Sequence, residues 1–453
     1  MGRIPAGPEV PRTPIGMLQM ASALKSDMFA FIGKRLQTYG DVYALQVPGG
    51  LHYIVANPDF AYEMLVGQPQ NFYKDTGYKD PKVGLTLFLG NGLLTSDGDF
   101  WKKQRKQVAP ALHARRIEAY AETMVESTDL MLTRWHAGSV LNIDREMMRL
   151  TLGIVAKTLF NADISAQAGR IGHILDTLQA AMMPLDVLPA WVPTPLRFRR
   201  DRAIAGLDEI VYGMINAWRE QGADRGDLLS MLMLAQDDDG NHMTDKQIRD
   251  EAVTLLLAGH ETTANTLNWT FLLLAQNPDV EARLHDELDS VLGGALPTLA
   301  DLKRLPYTEM VIKESMRLLP PAYSFGRQAI VDTEIAGYSI PKGTEVTVFS
   351  YFIHRDPRFW SEPERFMPER FSPENEKHIP RYAYLPFGGG PRICIGNSFA
   401  SMEARLLLAT IAQRYQLRLK PGFQVEFDPL ITLRPKHGLM MTLAERTPER
   451  HAV

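Results

Sequence analysis

The sequence predicts a mainly helical protein with a smaller β-rich part, which is an α+β fold. Strand patterns are confined to a hairpin of Asp41 to Val47 with His52 to Val55, and to an alternating segment from Arg327 to Ser350. A long helical segment begins near Thr244. Other helical periodicity covers roughly residues 97–135, 144–182 and 201–222. Helices therefore account for most of the predicted structure.

The longest predicted helix has clear start and stop signals. Thr244 and Gln247 form a capping box, and Pro278 ends the helix after Asn277. The helix is apolar on most faces and about 50 Å long, which predicts that it crosses the domain core. Another helix begins at Pro306 and ends before residues 320–321. Four prolines between residues 182 and 200 predict an irregular connection there.

The chain is predicted to fold as one large domain over residues 20–445. It has 453 residues with 45% hydrophobic content, and no internal repeat, low-complexity tract or long linker interrupts this range. Prolines at positions 5, 8, 11 and 14 predict a stiff N-terminal arm over residues 1–19, and residues 446–453 are predicted to form a polar tail.

Composition excludes several classes of protein. The net charge of −4 gives no general attraction to nucleic acid, and the N-terminal residues lack an apolar run long enough for a signal peptide or membrane anchor. The single cysteine, Cys394, excludes an intrachain disulfide, a zinc ribbon and an iron–sulfur cluster. No Walker A loop or dinucleotide-binding glycine motif is present. A reducing compartment fits this composition.

A glycine-rich segment surrounds the only cysteine. Residues 387–396 are Phe-Gly-Gly-Gly-Pro-Arg-Ile-Cys-Ile-Gly and match Phe-x-x-Gly-x-Arg-x-Cys-x-Gly. Glycines before a cysteine allow a tight loop whose N–H groups can point at the sulfur and tune a thiolate ligand. A lone cysteine is usually an inert buried thiol, but five fixed positions argue against that interpretation. The segment resembles the haem-binding signature of the cytochrome P-450 superfamily.

This resemblance assigns haem contacts within the segment. It implies that Cys394 ligates the iron and that Arg392 pairs with a haem propionate. Phe387, Gly388 and Gly396 would complete the haem-binding loop.

A second unusual segment, Ala-Gly-His-Glu-Thr-Thr at residues 258–263, lies within the long helix. Gly259 costs about 1 kcal/mol relative to alanine in a helix interior. Ala258 and Thr262 lie one turn apart, so the Thr262 hydroxyl can bond the Ala258 carbonyl or leave it for a water. Alone, the segment would indicate back-bonded threonines in an ordinary buried helix. Beside the cysteine motif it resembles the family's oxygen-activation motif, which implies a groove next to haem at Ala258 and a proton relay through Glu261 and Thr262.

Three charged residues match a structural motif of the family. Glu314 and Arg317 share a helix face, and Arg370 follows within the segment Pro-Glu-Arg-Phe. Such helix pairs are common on solvated surfaces and contribute little there. The resemblance places the trio in a buried network that is structural, not catalytic.

Trp101 and Arg105 lie four residues apart on one predicted helix. A packed ring beside a solvated charge is the ordinary interpretation of this spacing. The resemblance instead assigns both side chains to a haem propionate, and Arg327 to another propionate contact.

The resemblance also predicts the walls of a substrate pocket. Each position is equally an ordinary core candidate. The predicted wall residues are Leu94, Leu255, Ala258, Ala322, Phe325, Ile431, Thr432 and Leu433. In addition, residues 191–195 resemble the lid region of bacterial members similar to fatty-acid and terpene hydroxylases.

By resemblance, the fold is a mostly helical triangular prism with a smaller β-rich lobe, and haem b (iron protoporphyrin IX) lies between the long helix and the cysteine loop. The implied activity is a monooxygenase that uses O₂ to hydroxylate an apolar substrate of the fatty acid, terpene or steroid class. Electrons are expected from a ferredoxin or flavodoxin with its NAD(P)H-dependent reductase. The protein is expected to be a soluble monomer in the bacterial cytoplasm.

Alternatives remain open at this point. Lys102, Lys103 and Lys106 flank Arg105 and form a basic patch that would suit an acidic redox partner, but a solvated helix face explains the same charges. A peroxide-driven peroxygenase would share the fold and have less use for a proton relay. A non-catalytic haem sensor would need neither the relay nor a substrate pocket.

Overall fold

The computed structural model describes residues 2–10, 13–47, 50–82, 84–163, 167–181, 194–221, 227–236 and 240–446. The helices are α1 (Pro14–Ser26), α2 (Met28–Tyr39), α3 (Pro58–Tyr62), α4 (Thr76–Lys79), α5 (Thr86–Leu89), α6 (Gly98–Val108), α7 (Ala114–Ala119), α8 (Ala121–Leu132), α9 (Ile143–Phe160), α10 (Ala168–Ala181), α11 (Pro195–Gln221), α12 (Leu228–Leu234), α13 (Asp245–Gln276), α14 (Pro278–Leu292), α15 (Pro306–Leu318), α16 (Ser350–Ile353), α17 (Pro373–Glu376) and α18 (Asn397–Ala412). The strands are β1 (Val42–Val47), β2 (Gly50–Val55), β3 (Phe72–Tyr73), β4 (Val140–Asn142), β5 (Phe325–Ala329), β6 (Thr333–Ile335), β7 (Tyr338–Ile340), β8 (Glu345–Val348), β9 (Tyr415–Leu419), β10 (Phe427–Pro429), β11 (Leu433–Pro435) and β12 (Met440–Glu445).

The chain divides into two compact units that alternate along the sequence. The first unit comprises Met1–Gly77, Arg317–Arg365 and Pro373–Cys394. The second unit comprises Tyr78–Met316, Phe366–Ser372 and Ile395–Val453. A single domain over residues 20–445 stays a prediction.

The first unit is built on a sheet with the strand order β1-β2-β8-β5-β3. The predicted hairpin is confirmed, because β1 pairs antiparallel with β2. The predicted sheet over residues 327–350 is confirmed in its antiparallel pairs β5–β8 and β6–β7, but β8 also pairs parallel with β2. Tyr53, Phe60, Val346 and Val348 are buried against this sheet and form its core.

The second unit is mainly helical, with α13 as its longest element. The predicted capping box is confirmed: the Gln247 N–H donates to Thr244 Oγ1 at 3.3 Å, and the Thr244 N–H donates to Gln247 Oε1 at 2.7 Å. α13 is buried along most of its 32 residues, so most of its apolar surface is covered by packing. Strands β4, β12 and β9 form one small sheet of this unit, and β10 and β11 form another.

Several predicted boundaries were wrong for local physical reasons. The segment 97–135 is divided into α6, α7 and α8, and the break after α6 comes at Pro110, which lies in a 3-10 turn. The segment 144–182 is divided after α9, where Asn161 adopts the left-handed conformation with φ 47°. Pro195 begins α11, so the predicted irregular connection is wrong for residues 195–200, and its residues 182–193 lie outside the described chain. Pro14 begins α1, so residues 14–19 are helical, and the stiff arm otherwise stays a prediction.

No helix in the described part of the chain is long and apolar enough to cross a membrane.

Candidate active site

Cys394 ends the first unit on a loop that is closed by its own backbone. Its N–H donates to the Phe387 carbonyl at 3.0 Å, and the Ile393 N–H donates to the Gly390 carbonyl at 3.1 Å. A 3-10 turn, Gly390–Arg392, precedes the cysteine. The side chain of Cys394 is exposed, whereas a structural cysteine is normally buried. The loop therefore presents the sulfur and does not pack it away.

Two glycines of this loop are required by conformation. Gly388 has φ 71° and Gly390 has φ 66°, which disfavour any residue with a Cβ. A Cβ on Gly390 would lie 1.8 Å from the Leu65 carbonyl oxygen, whereas a Cβ on Gly388 would meet nothing within 4 Å. The Gly390 N–H also donates to the Tyr382 hydroxyl at 3.1 Å. Gly390 is thus required both for its positive φ and for its close approach to the Leu65 carbonyl, whereas Gly388 is required only for its positive φ.

The other predicted haem residues of the first unit lie on different elements. Arg392 is half-buried in the 3-10 turn, and Arg327 is 6% exposed on β5, where its Nη1 donates to the Gly326 carbonyl at 2.8 Å. Arg317 is fully buried and donates to the carbonyls of His354 and Pro363 at 2.7 and 2.8 Å. These contacts give Arg317 the buried structural environment that the resemblance implies.

In the second unit, one turn of α13 is unlike the rest of the helix. Ala258 is exposed, and Gly259 and Thr262 are half-buried, within a helix whose other residues are almost all buried. Thr262 Oγ1 donates to the Ala258 carbonyl at 2.8 Å, so of the two predicted states the structure has the back-bonded one. The turn therefore faces open space and places a hydroxyl there.

Glu261 points away from this open side and is buried in a polar network. Its Oε2 accepts from Gln179 Nε2 of α10 at 2.8 Å, and its Oε1 accepts from Thr432 Oγ1 at 2.5 Å. Asn265 Nδ2 donates to the same Thr432 hydroxyl at 3.1 Å. Burial raises the pKa of Glu261, and the Thr432 and Gln179 hydrogen bonds partly oppose that rise. The carboxyl is thereby held in place and made easier to protonate.

The network continues along α13 to a second acid. Asn268 Nδ2 donates to Asp144 Oδ1 at 2.8 Å, and burial raises the pKa of Asp144 to about 6. The positive charge of Arg434 lowers the pKa of both Asp144 and Glu261. Its Nη1 lies 3.1 Å from Oδ1 of the largely exposed Asp176. Titratable groups therefore extend from the buried Glu261 to the surface.

His260, beside Glu261, is not part of this network. Its Nδ1 donates to the Leu256 carbonyl at 2.7 Å, and burial lowers its pKa to about 4. The imidazole is therefore neutral at pH 7 and is an internal hydrogen-bond donor of the helix.

Four further predicted site residues of the second unit form two local pairs. On α6 the Arg105 guanidinium lies 5.8 Å from the centre of the Trp101 ring, and both side chains are half-buried. Glu314 is fully buried and accepts from Arg370 Nε at 3.2 Å and from the Met367 N–H at 2.9 Å. The predicted contact of Glu314 with Arg370 is thus present.

The predicted pocket residues differ in exposure. In the first unit Ala322 is exposed and Phe325 is half-buried. In the second unit the less buried members are Leu94, Ala258 and Ile431, and the buried ones are Leu255 (7% exposed), Thr432 (6%) and Leu433 (0%). The Leu433 carbonyl accepts from Trp269 Nε1 at 3.0 Å, which is an ordinary core contact. The lid resemblance at residues 191–195 falls mostly outside the described chain.

The donor set fits a haem-thiolate centre. Among the described residues no three His, Cys, Asp or Glu side chains gather as a metal site. An exposed sulfur on a glycine-shaped loop suits the thiolate ligand of a haem iron. Arginines suit propionates, because the guanidinium binds carboxylates in bidentate fashion.

Sequence reasoning missed two contributors to this arrangement. Gln179 bonds Glu261 from 82 residues away, and Leu93 bonds Glu251 from 158 residues away. In the sequence, a glutamine on a mostly apolar helix face is only a weak sign of such a hydrogen-bond partner. A backbone N–H gives no sign at all. Thr432, whose place in the pocket wall stays a prediction, is also a hydrogen-bond partner of Glu261.

Comparison with known proteins covers almost the whole chain. A family model described as cytochrome P-450 matches residues 5–441. Cyclooctatin synthase of Streptomyces melanosporofaciens is 40% identical over 406 residues, which are 88% of this chain and 87% of the relative. Cyclooctat-9-en-7-ol 5-monooxygenase of the same organism is 37% identical over 85% of this chain and 84% of the relative. Pentalenene oxygenase of Streptomyces avermitilis is 31% identical, with 91% and 92% covered.

Solved structures give the same result. The retinoic acid bound cyanobacterial CYP120A1 is 26% identical with a TM-score of 0.88, covering 98% of this chain and all of the other. The haem domain of cytochrome P450DA is 28% identical with a TM-score of 0.88, and both chains are fully covered.

Proposed function

The chain belongs to the cytochrome P-450 family and is a monooxygenase with that family's α+β fold, and from this premise we propose that it hydroxylates an apolar terpenoid. The observation that carries the proposal is the exposed Cys394 on its glycine-shaped loop. The monooxygenase and oxygenase names of the relatives support the substrate class, since they concern cyclooctat-9-en-7-ol and pentalenene.

Haem b would be held through the Cys394 thiolate, with Arg392, Arg327 and Arg105 as propionate partners and Trp101 beside Arg105. When bound, a haem iron with a thiolate ligand activates O₂, because thiolate donation favours cleavage of the O–O bond. Phe387, Gly388 and Gly396 would shape the loop around it.

The chain's own part in catalysis is proton handling on α13. Thr262 holds its hydroxyl at the open turn, and turning from the Ala258 carbonyl would let it donate a hydrogen bond on that side. Glu261 holds a proton more readily than an exposed glutamate because it is buried. To pass that proton on, it must first leave Thr432 or Gln179. These two hydrogen bonds would therefore keep Glu261 from transferring its proton until one of them breaks.

A titration tests the proposed substrate class. Purified holoenzyme would be titrated with cyclic diterpenes and sesquiterpenes, fatty acids and steroids, and the low-to-high spin shift of the haem spectrum recorded. The proposal expects terpenes to give the shift and fatty acids and steroids to give little. A shift with fatty acids alone would overturn the terpenoid assignment.

A second assay separates the open alternatives. Product would be measured with O₂ and a ferredoxin system, and in parallel with hydrogen peroxide and no reductase. The monooxygenase proposal expects product mainly with the ferredoxin system. Efficient turnover with peroxide alone would indicate a peroxygenase, and absence of both product and spin shift would favour a haem sensor.

The electron donor is proposed to be a ferredoxin or flavodoxin that docks on α6. Lys102, Lys103 and Lys106 are exposed on this helix, and Lys102 Nζ contacts Asp99 at 2.8 Å. Reversing the three lysines to glutamate should slow first-electron transfer by about tenfold at low salt and less at high salt, because screening acts over about 10 Å at 0.1 M.

The matched control reverses three exposed lysines of other elements, Lys25, Lys342 and Lys420. That variant changes the net charge equally and should keep wild-type electron transfer. Equal slowing by both variants would mean that total charge, and not the α6 patch, guides docking.

A further inference from the structure

The connection between α5 and α6 is fastened to α13 by two consecutive acids. Residues 90–96 of this connection are here called the Leu94 loop. The Asn91 N–H donates to Asp250 Oδ2 at 2.9 Å, and the Leu93 N–H donates to Glu251 Oε2 at 3.1 Å. Asp250 is 3% exposed and Glu251 is fully buried. Two buried carboxyls therefore satisfy backbone donors of a loop that has no regular structure of its own.

The fit between loop and helix is close enough to require glycine twice. Gly90 has φ 69°, and a Cβ there would lie 2.1 Å from Asp250 Oδ1. A Cβ on Gly92 would lie 2.5 Å from Thr254 Oγ1 and 2.8 Å from the Asp250 carbonyl. Thr95 Oγ1 closes the loop by donating to the Gly90 carbonyl at 2.7 Å. The loop is thus packed directly on the helix at a defined register.

This register brings Leu94 to a particular face of α13. Glu251 precedes Ala258 by seven residues, so both lie on the same helix face, about 10 Å apart along the axis. Leu255 lies between them on that face. Within the loop Leu93 is 8% exposed and Thr95 is fully buried, whereas Leu94 between them is half-buried.

We propose that Asp250 and Glu251 are positioning residues that hold the Leu94 loop on α13 and so fix the place of Leu94 in the substrate site. The inference rests on the proposed function, because it takes Leu94 to face the substrate. The two acids are not equivalent. Asp250 is neutralised by Lys246 at 2.7 Å and Arg249 at 3.0 Å, and Arg249 also bonds Asp208 of α11.

No lysine or arginine of the described residues pairs with Glu251 in this way. Its Oε1 is buried and has no hydrogen-bond partner within the described residues. Burial raises the pKa of Glu251 to about 8; the Leu93 hydrogen bond opposes this rise, and Asp250 adds to it. A neutral carboxyl still offers its carbonyl oxygen to Leu93, so Glu251 can hold the loop at pH 7 without a buried charge.

Amide hydrogen exchange on the substrate-free holoenzyme tests the inference. Glu251→Val removes the acceptor and should speed exchange of the Leu93 amide about tenfold, whereas Glu251→Gln keeps an oxygen and should change it less than about twofold. Amides in α18 would report any global loss of stability. Loop exchange that is unchanged in Glu251→Val, or accelerated only in step with α18, would overturn the inference.

A second variant leaves both acids intact. Gly92→Ala should push the loop away from Thr254 and speed exchange of the same amide by a similar factor. If Gly92→Ala leaves that exchange unchanged, the close register has no role in holding the loop.

The pH dependence supplies an independent check with a matched control. Deprotonating Glu251 favours the open loop, since the carboxylate is better solvated there, so loop opening in wild type should increase between the ordinary pKa of 4.5 and about pH 8, relative to Glu251→Gln, and level off above that. Glu403 of α18 is also buried and has its pKa raised to about 8. Glu403→Gln should therefore keep the wild-type pH dependence of loop opening, and loss of that dependence in this variant would exclude Glu251 as its source.

Substrate binding shows whether holding the Leu94 loop also matters for the substrate site. Glu251→Val should weaken the spin-shift titration by about tenfold, if Leu94 helps to shape the site. An unchanged titration with accelerated loop exchange would mean that Glu251 holds the Leu94 loop but that the loop has no role in the substrate site. No spin shift in wild type with any compound would instead count against the proposed function, while hydrogen exchange would still decide whether the acids hold the loop.

Discussion

The cysteine loop of the first unit and the Ala258–Thr263 turn of the second are held in place by different means. The loop uses its own backbone: the Cys394 N–H bonds the Phe387 carbonyl, and Gly388 and Gly390 adopt positive φ. The helix turn instead depends on side chains of remote segments, because Gln179 and Thr432 hold Glu261 from 82 and 171 residues away. The sulfur that we propose as the iron ligand is thus held by local backbone geometry, and the proposed proton relay is held by tertiary contacts.

This difference has a physical basis. A backbone hydrogen bond between residues seven apart closes the loop within one short segment, so the position of the sulfur depends mainly on local backbone conformation. A buried carboxyl responds to every neighbour through desolvation and hydrogen bonding, so its proton affinity can be adjusted from several elements. The loop should therefore be sensitive to backbone changes, and the helix turn to changes in polar partners and pH.

The largest effect is expected at the sulfur. Cys394→Ser should abolish the red-shifted Soret band of the reduced carbon monoxide complex, because that shift needs thiolate donation. Ile395→Val, a conservative change next to the cysteine, should keep the band. Retention of the band in Cys394→Ser would remove Cys394 as the ligand.

The two loop glycines separate steric from conformational requirements. Gly390→Ala should destabilise the protein by more than about 3 kcal/mol, because its Cβ would overlap the Leu65 carbonyl oxygen and force a backbone shift. Gly388→Ala has the same unfavourable φ but no overlap, and should cost only about 1 to 2 kcal/mol. Denaturant unfolding of the two variants measures both costs, and equal costs would show that close approach at Gly390 is unimportant.

A smaller, selective effect is expected at Thr262. Thr262→Ala should leave haem content nearly intact but divert reducing equivalents to hydrogen peroxide, reducing product per NAD(P)H consumed by about tenfold. Thr158→Ala is the matched control, since Thr158 is back-bonded to the Ile154 carbonyl at 2.7 Å in another helix. Unchanged coupling in Thr262→Ala would take this hydroxyl out of the mechanism.

The smallest expected effect is a pH dependence of stability that arises at Glu261. Burial raises its pKa above the ordinary value of 4.5, so above that pH the folded chain keeps a proton that the unfolded chain releases. Its contribution to stability therefore falls as the pH rises, with a limiting slope of about 1.4 kcal/mol per pH unit for one proton. Glu261→Gln should flatten the pH profile of the unfolding free energy by that contribution, whereas Glu126→Gln on the exposed surface of α8 should not. A Glu261→Gln profile parallel to that of wild type would contradict the raised pKa.

The sequence-based predictions were most accurate for features that depend on neighbouring residues. The capping box at Thr244, the hairpin at residues 42–55 and the helix from Pro306 depend on neighbouring residues, and all three were confirmed. The breaks at Pro110 and Asn161 were missed, since apolar periodicity continues across them. The roles assigned to Trp101, Arg105, Arg327 and Arg392 stay predictions.

The amino-acid sequence alone indicated the family, through the motif around the only cysteine, and the weakened turn of α13, because each of these two segments is encoded by residues within ten positions of one another. Only the tertiary structure decided that Thr262 is bonded to the Ala258 carbonyl, that Glu261 is held by Gln179 and Thr432, and that Glu251 fastens the Leu94 loop. These outcomes depend on burial and on contacts between residues as many as 171 positions apart. Local residue patterns do not encode the desolvation of a carboxyl or the partner that satisfies it.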